Sequence, residues 1–151
     1  MRHFPEIYYF IAIVAAVIVF SLITLVAVNC GADEIDMSII AQIESSNNPD
    51  AYNEVSKATG MYQITPVCLL DFNNYHKRKY SISEMFVPKK GYFVASWYMN
   101  TRIPQLLKHY GYEDTIDNRL IAYNRGISNT GKPLCKETRN YIRKYREELK
   151  K

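Results

Sequence analysis

Histidine and cysteine are scarce in this chain, three of each, and no two stand at the spacing a metal site needs. His3, His76 and His109 are scattered, and Cys30, Cys68 and Cys135 are no closer, so no zinc-type cluster is expected and no metal is assigned. The same scarcity leaves a serine or cysteine nucleophile with only an isolated His76 or His109 as its base. Glycine is thin as well. Gly60 and Gly126 stand alone rather than in a glycine-rich turn, which excludes a phosphate loop, and nothing implies a cofactor. Strand alternation is missing too: the apolar runs are either helical in period or too short, so the expected class is mainly α. There is no repeat period and no low-complexity tract.

One further absence is local. From Ile7 to Val28 no residue is charged, and at ~1.5 Å rise per residue the run is long enough to cross a ~30 Å hydrocarbon core. The expected organisation is therefore a flank over 1–6, a transmembrane helix acting as signal anchor over 7–28, a short linker over 29–33 and a catalytic domain over 34–151. A cleaved secretory signal is the competing reading, although its apolar region usually spans only ~7 to 15 residues. Arg2 and the amino terminus lie before the run, and Asp33, Glu34 and Asp36 lie after it. The positive-inside rule then puts the N-terminus in the cytoplasm and the domain on the outer, periplasmic or wall-facing side. Ala27-Val28-Asn29-Cys30 distantly resembles a lipobox without its usual leucine, so a lipid on Cys30 ranks below a retained helix. Cys68 and Cys135 are free to pair outside the cytoplasm or to remain two buried thiols, and both readings stay open.

What the chain does contain is one acid in an unusual place. Met37, Ile40 and Ala41 fall at helical spacing and Glu44 continues their stripe, so its carboxylate extends an apolar face. Asp33 is a reasonable N-cap for this helix, and Ser46, Asn47, Asn48 and Pro49 stop it. Glu44 thus sits in the last turn, near unpaired carbonyls and the negative end of the helix dipole. Desolvation and that partial charge both raise a carboxyl pKa, and a proton retained near neutrality is what a general acid requires.

Further along, Gly60 to Pro66 suits a tight turn forming one wall of a cleft. His76-Lys77-Arg78-Lys79 reads as solvated surface and Ser81 to Pro88 as a connection. Tyr92, Ala95, Met99, Ile103, Leu106, Leu107 and Tyr110 mark a central packing helix over 89–110, interrupted at Pro104 by a kink or restart. Asp117 is placed to cap a helix over 118–124, and Gly126 to end it in a left-handed conformation. Thr138, Tyr141, Ile142, Tyr145 and Leu149 line one side of a last helix whose other face is basic.

Glycoside cleavage usually employs two carboxylates. Only Glu44 stands out here, since Asp50, Glu54 and Asp71 read as surface or capping residues. A lone acid suits a route in which the sugar's own hydroxyl closes on the anomeric carbon. In that context the blocks Glu44-Ser45, Ala58 to Pro66, Ala122-Tyr123-Asn124-Arg125-Gly126 and Glu137 to Tyr141 resemble, in order, the motif blocks of the soluble lytic transglycosylase (SLT) family. Tyr62 and Arg125 depart from it, standing where methionine and a small residue are common.

The resemblance implies an all-α lysozyme-like fold, of the kind shared by goose-type lysozyme and the lytic transglycosylases. It implies cleavage of the β-1,4 bond between N-acetylmuramic acid and N-acetylglucosamine in a peptidoglycan strand, leaving a 1,6-anhydro sugar. Glu44 would serve as acid and then base, with Ser45 supporting it and Gln63 lining the cleft. Tyr123 and Asn124 would position the sugar, and Tyr141, with Glu137 a further candidate, would close the site. By residue type alone, Gln63 could equally satisfy backbone groups in its turn, and the two tyrosines could be core. A goose-type hydrolase and a catalytically idle glycan-binding protein of an envelope-spanning complex are the alternatives. Nucleic acid is not expected as a partner, because the domain is placed outside the cell.

Overall fold

The computed structural model describes residues 34–151. The apolar run over 7–28, the flanks around it, Cys30 and the cap expected at Asp33 lie outside the described residues. Among the described residues, no helix is long and apolar enough to cross a membrane.

The architecture is helical, as the lack of alternation demands. Among the described residues six α-helices follow in order: α1 (Met37–Ser45), α2 (Pro66–His76), α3 (Pro88–Trp97), α4 (Ile103–His109), α5 (Ile116–Arg125) and α6 (Lys136–Glu148). Short 3-10 turns occur at Ile82–Phe86 and Ile127–Asn129, and a π turn at Tyr98–Arg102. Between α1 and α2 the backbone makes only isolated bridges, Tyr52 to Thr59 and Thr59 to Ile64.

The first helix begins later than its polar flank suggests. Asp36, not Asp33, is the N-cap, its carboxylate accepting from the Ser38 N–H at 2.8 Å. Asp36 itself is extended, at φ −71 and ψ 106, and the segment before the helix is tied to other elements: Ile35 is buried, its N–H reaches the Asn100 side-chain oxygen, and the Asp36 N–H donates to the Tyr145 hydroxyl at 2.9 Å. Met37, Ile40 and Ala41 then form the buried stripe, and Ser46 and Asn47 turn the chain away with positive φ.

The central helix is divided. The π turn over Tyr98–Arg102 precedes Pro104, whose ring cannot donate to Asn100 and would clash with its carbonyl in a regular helix. The wider turn accommodates that defect and shifts the helical phase. Ala95, Met99, Ile103 and Leu107 are buried as expected, but Tyr92 and Tyr110, at the outer ends of the proposed stripe, are exposed.

Two caps also differ from expectation. Thr115 caps α5, accepting from the Asn118 N–H at 3.2 Å, so Asp117 falls in the first turn and pairs with Arg146 instead. Gly126 ends α5 at φ 83, ψ 151, which is extended backbone of mirror-image sign rather than a left-handed helical residue. In α6, Thr138, Tyr141, Ile142 and Tyr145 face inward, whereas Leu149 lies past the helix end and is exposed. Cys68 and Cys135 are unbonded, the first in the core and the second at the start of α6.

The core gathers Ile40 and Ala41 from α1, Phe72 from α2, Val94 and Met99 from the central helix, Leu120 from α5 and Tyr145 from α6. Each of the larger aliphatic side chains and Phe72 contributes roughly 1.5–3 kcal/mol through removal from water. Arg119 is buried among them. Its guanidinium is held by both oxygens of Asp114, at 2.6 and 2.8 Å, the arrangement that makes a buried charge tolerable.

Candidate active site

The site forms where the C-terminal end of α1 meets a tight loop over 60–63. Ser45 ties the two together: its hydroxyl donates to the Met61 carbonyl at 2.8 Å, with the Ala41 carbonyl farther off at 3.3 Å. The loop in turn is pinned from beneath. Gly60 has φ +77, and a Cβ there would stand 2.0 Å from the Met85 carbonyl oxygen, so the loop can lie on the Ile82–Phe86 turn only with glycine at this position. Gln63, itself at φ 49, donates from its side-chain amide to the Gly60 carbonyl at 3.0 Å and approaches the Ala51 carbonyl at 3.4 Å. It both lines a groove and stiffens its own turn.

Glu44 occupies the last turn of α1, half-buried. The Tyr141 hydroxyl donates to its Oε1 at 2.7 Å. Burial pushes the Glu44 carboxyl up to about 7, and the Tyr141 hydrogen bond restrains that rise by favouring the anion. Burial and the neighbouring Glu44 also lift Tyr123 and Tyr141 well above the usual phenol range, so both hydroxyls keep their protons as donors. Tyr123 uses its own on the Tyr62 carbonyl, at 2.8 Å, clamping α5 to the 60–63 loop. Asn124 accepts from the Thr138 hydroxyl at 2.9 Å, which fixes the side-chain orientation and leaves its NH2 group for the groove.

That groove encloses about 290 Å³ between the 63–68 segment and the end of α5. Gln63, Tyr123 and Asn124 line it together with Tyr98, Val67 and Arg125. Glu44 is not one of the lining residues. Tyr123 joins the two regions, since its ring lies 6.3 Å from that of Tyr98 in the groove wall and its hydroxyl is close enough to Glu44 to feel the carboxylate's charge. Tyr141 touches the acid, whereas Glu137 is exposed on the first turn of α6 and makes no bond to Glu44.

Two contributors do not stand out in the sequence. Tyr98 lies just outside the expected apolar stripe, and the π turn that sets its position has no periodic signature. Thr138 sits inside a motif block but reads as one more residue of a buried face; only the fold shows it holding Asn124.

A mainly helical domain that presents one half-buried glutamic acid beside a polar, tyrosine-walled groove has the constitution of a lysozyme-like, glycan-cleaving domain. Residues 25–146 match the Transglycosylase SLT domain, and the chain belongs to that family. The membership supports peptidoglycan as substrate and a cleavage reaction of the lytic transglycosylase type. No curated protein and no solved structure matches the chain.

Proposed function

We propose that the chain is a membrane-anchored lytic transglycosylase that cleaves the MurNAc-β-1,4-GlcNAc bond of peptidoglycan and leaves 1,6-anhydroMurNAc. The observation that carries this reading is the setting of Glu44: half-buried and hydrogen-bonded by Tyr141, with burial raising its carboxyl to about 7. A proton at that position is available to the glycosidic oxygen. As the bond from C1 to the GlcNAc O4 breaks, O4 takes the Glu44 proton and the leaving sugar departs as a neutral alcohol. The resulting carboxylate, steadied by the Tyr141 hydroxyl, accepts the proton of the muramic acid C6 hydroxyl while that oxygen bonds to C1. The acid is restored, no water is consumed, and no second carboxylate is required.

The other parts of the site support binding. Gln63, Tyr123 and Asn124 present two amides and an aromatic ring along the groove, the mixture that sugar hydroxyls and N-acetyl groups engage. Ser45 holds the acid's helix end against the loop. We further propose that the uncharged run over 7–28 anchors the domain to the membrane with its N-terminus in the cytoplasm, leaving the catalytic unit on the wall-facing side, where an envelope-spanning complex would be within reach.

Mass spectrometry of the soluble products from purified peptidoglycan tests the reaction. Wild-type protein is expected to release anhydro-muropeptides, and Glu44→Gln to lower the rate by about 10²–10⁴-fold without unfolding. Reducing ends would assign a hydrolase instead, and binding without products would assign a glycan-holding protein.

A further inference from the structure

Among the described residues, Arg125 is the one charged residue lining the groove, and it stands in the last turn of α5 directly after Tyr123 and Asn124. Among the described arginines four are held by carboxylates, whereas Arg125, like Arg78 and Arg139, is not, and of these three only Arg125 lines the groove. Arg102, Arg119, Arg143 and Arg146 are each bonded to a carboxylate at 2.6 to 2.8 Å. Arg125 pairs with no carboxylate among the described residues. Its guanidinium makes one long contact, Nη1 to the Pro133 carbonyl at 3.5 Å, at the rim between the groove and the start of α6. A planar fork of five N–H donors is thus left largely unused beside a site that otherwise offers amides, hydroxyls and rings.

A half-exposed arginine without a carboxylate partner is ordinarily solvated, and a cation at a helix C-terminus compensates the macrodipole wherever it points. Neither role calls for a position in a substrate groove. The family's glycan substrate, by contrast, supplies the matching charge: muramic acid carries a lactyl carboxylate when it bears no peptide, and a stem peptide carries carboxylates of its own. We propose that Arg125 binds a carboxylate of the glycan substrate, held either on the lactyl group of a peptide-free muramic acid or on the stem peptide. The inference rests on the reading of this groove as the peptidoglycan site. It makes the enzyme selective for acid over amidated strands, because an amide presents one acceptor and no charge to the fork.

Defined GlcNAc-MurNAc oligosaccharides separate the two sources. One pair carries the lactyl group as free acid or as primary amide, and the second carries a short stem peptide with its carboxylates free or amidated. Calorimetry on the full chain with Glu44→Gln measures binding without turnover, and anhydro-product analysis with wild-type protein measures the reaction. The acid member of one pair should bind about tenfold more tightly than its amide, and the pair that shows the difference names the source. Adding Arg125→Gln should erase the difference by lowering affinity for the acid far more than for the amide, and Arg125→Lys, which keeps the charge at the helix end but not the fork, should restore only part of it. Equal affinity for acid and amide in both pairs, or an Arg125→Gln loss of equal size in both members, overturns the proposal, as does absence of binding to all four. Anhydro products formed with a KM indifferent to amidation would sink the role of Arg125 and keep the transglycosylase. Carboxylate-dependent binding without any product would do the reverse.

Discussion

At the scale of single residues, the proposed chemistry depends on opposing influences on one carboxyl group. Burial raises Glu44 and the Tyr141 hydrogen bond lowers it, and the balance falls at about 7. Tyr141→Phe removes the restraint and leaves burial unopposed, so the pKa rises further. Activity that depends on the protonated acid falls as pH passes above that pKa, and the alkaline limb of the pH–rate profile should therefore move upward in the variant. The rate itself should drop by about 10–100-fold, because the carboxylate formed on proton transfer loses a hydrogen bond of roughly 1.5–3 kcal/mol. A profile whose alkaline limb stays in place would show that another group sets it.

At the scale of elements, the site is held by the loop over 60–63 as much as by any helix. Gly60→Ala should destabilise the fold by about 2–4 kcal/mol, since the added methyl meets both a positive φ and the Met85 carbonyl, and backbone on both sides must shift. Chemical denaturation measures it, and a loss under ~0.5 kcal/mol would mean the loop does not rest on that carbonyl. Elements with a strong hydrophobic period are legible in the sequence. The stripe of Met37, Ile40 and Ala41 leading to Glu44 is buried, and so is the inner face of the last helix through Tyr145. What escapes such reading is set by contacts rather than period. The segment before α1 is fixed by Tyr145 and Asn100 from distant elements, the cap of α5 is Thr115 three residues before Asn118, and the position of Tyr98 is set by a π turn relieving Pro104. Of the candidate site, the motif order along the chain points to Glu44, Gln63, Tyr123, Asn124 and Tyr141, and the structure places the Tyr141 hydroxyl on Glu44. Thr138 behind Asn124 is not legible in that order, because a threonine on a buried face carries no sign of its partner.

For the molecule as a whole, the protonated acid links folding to pH. Glu44 titrates near ~4.3 in an unfolded chain and at about 7 in the folded one. A folded pKa above the unfolded one means that the native state binds the proton more tightly. The associated stability is fully present below about pH 4 and is lost as pH rises through 7. Glu44→Gln cannot ionise, so its stability relative to wild type should grow across that window by about 3–4 kcal/mol in its favour at pH 8. Denaturation at pH 4.5 and pH 8.5 would show the change, and a pH-independent difference would place the cause elsewhere than in the buried proton.

The bonds from Asp36 to Tyr145 and from Tyr141 to Glu44 span 109 and 97 residues of sequence. A chain made from its N-terminus therefore displays Glu44 long before the helix that completes its surroundings exists. Until α6 is synthesised and docked, that glutamate is solvated, ionised at neutral pH and without a proton to give. The proposed acid is therefore completed by the last helix of the domain, not by the segment that carries it.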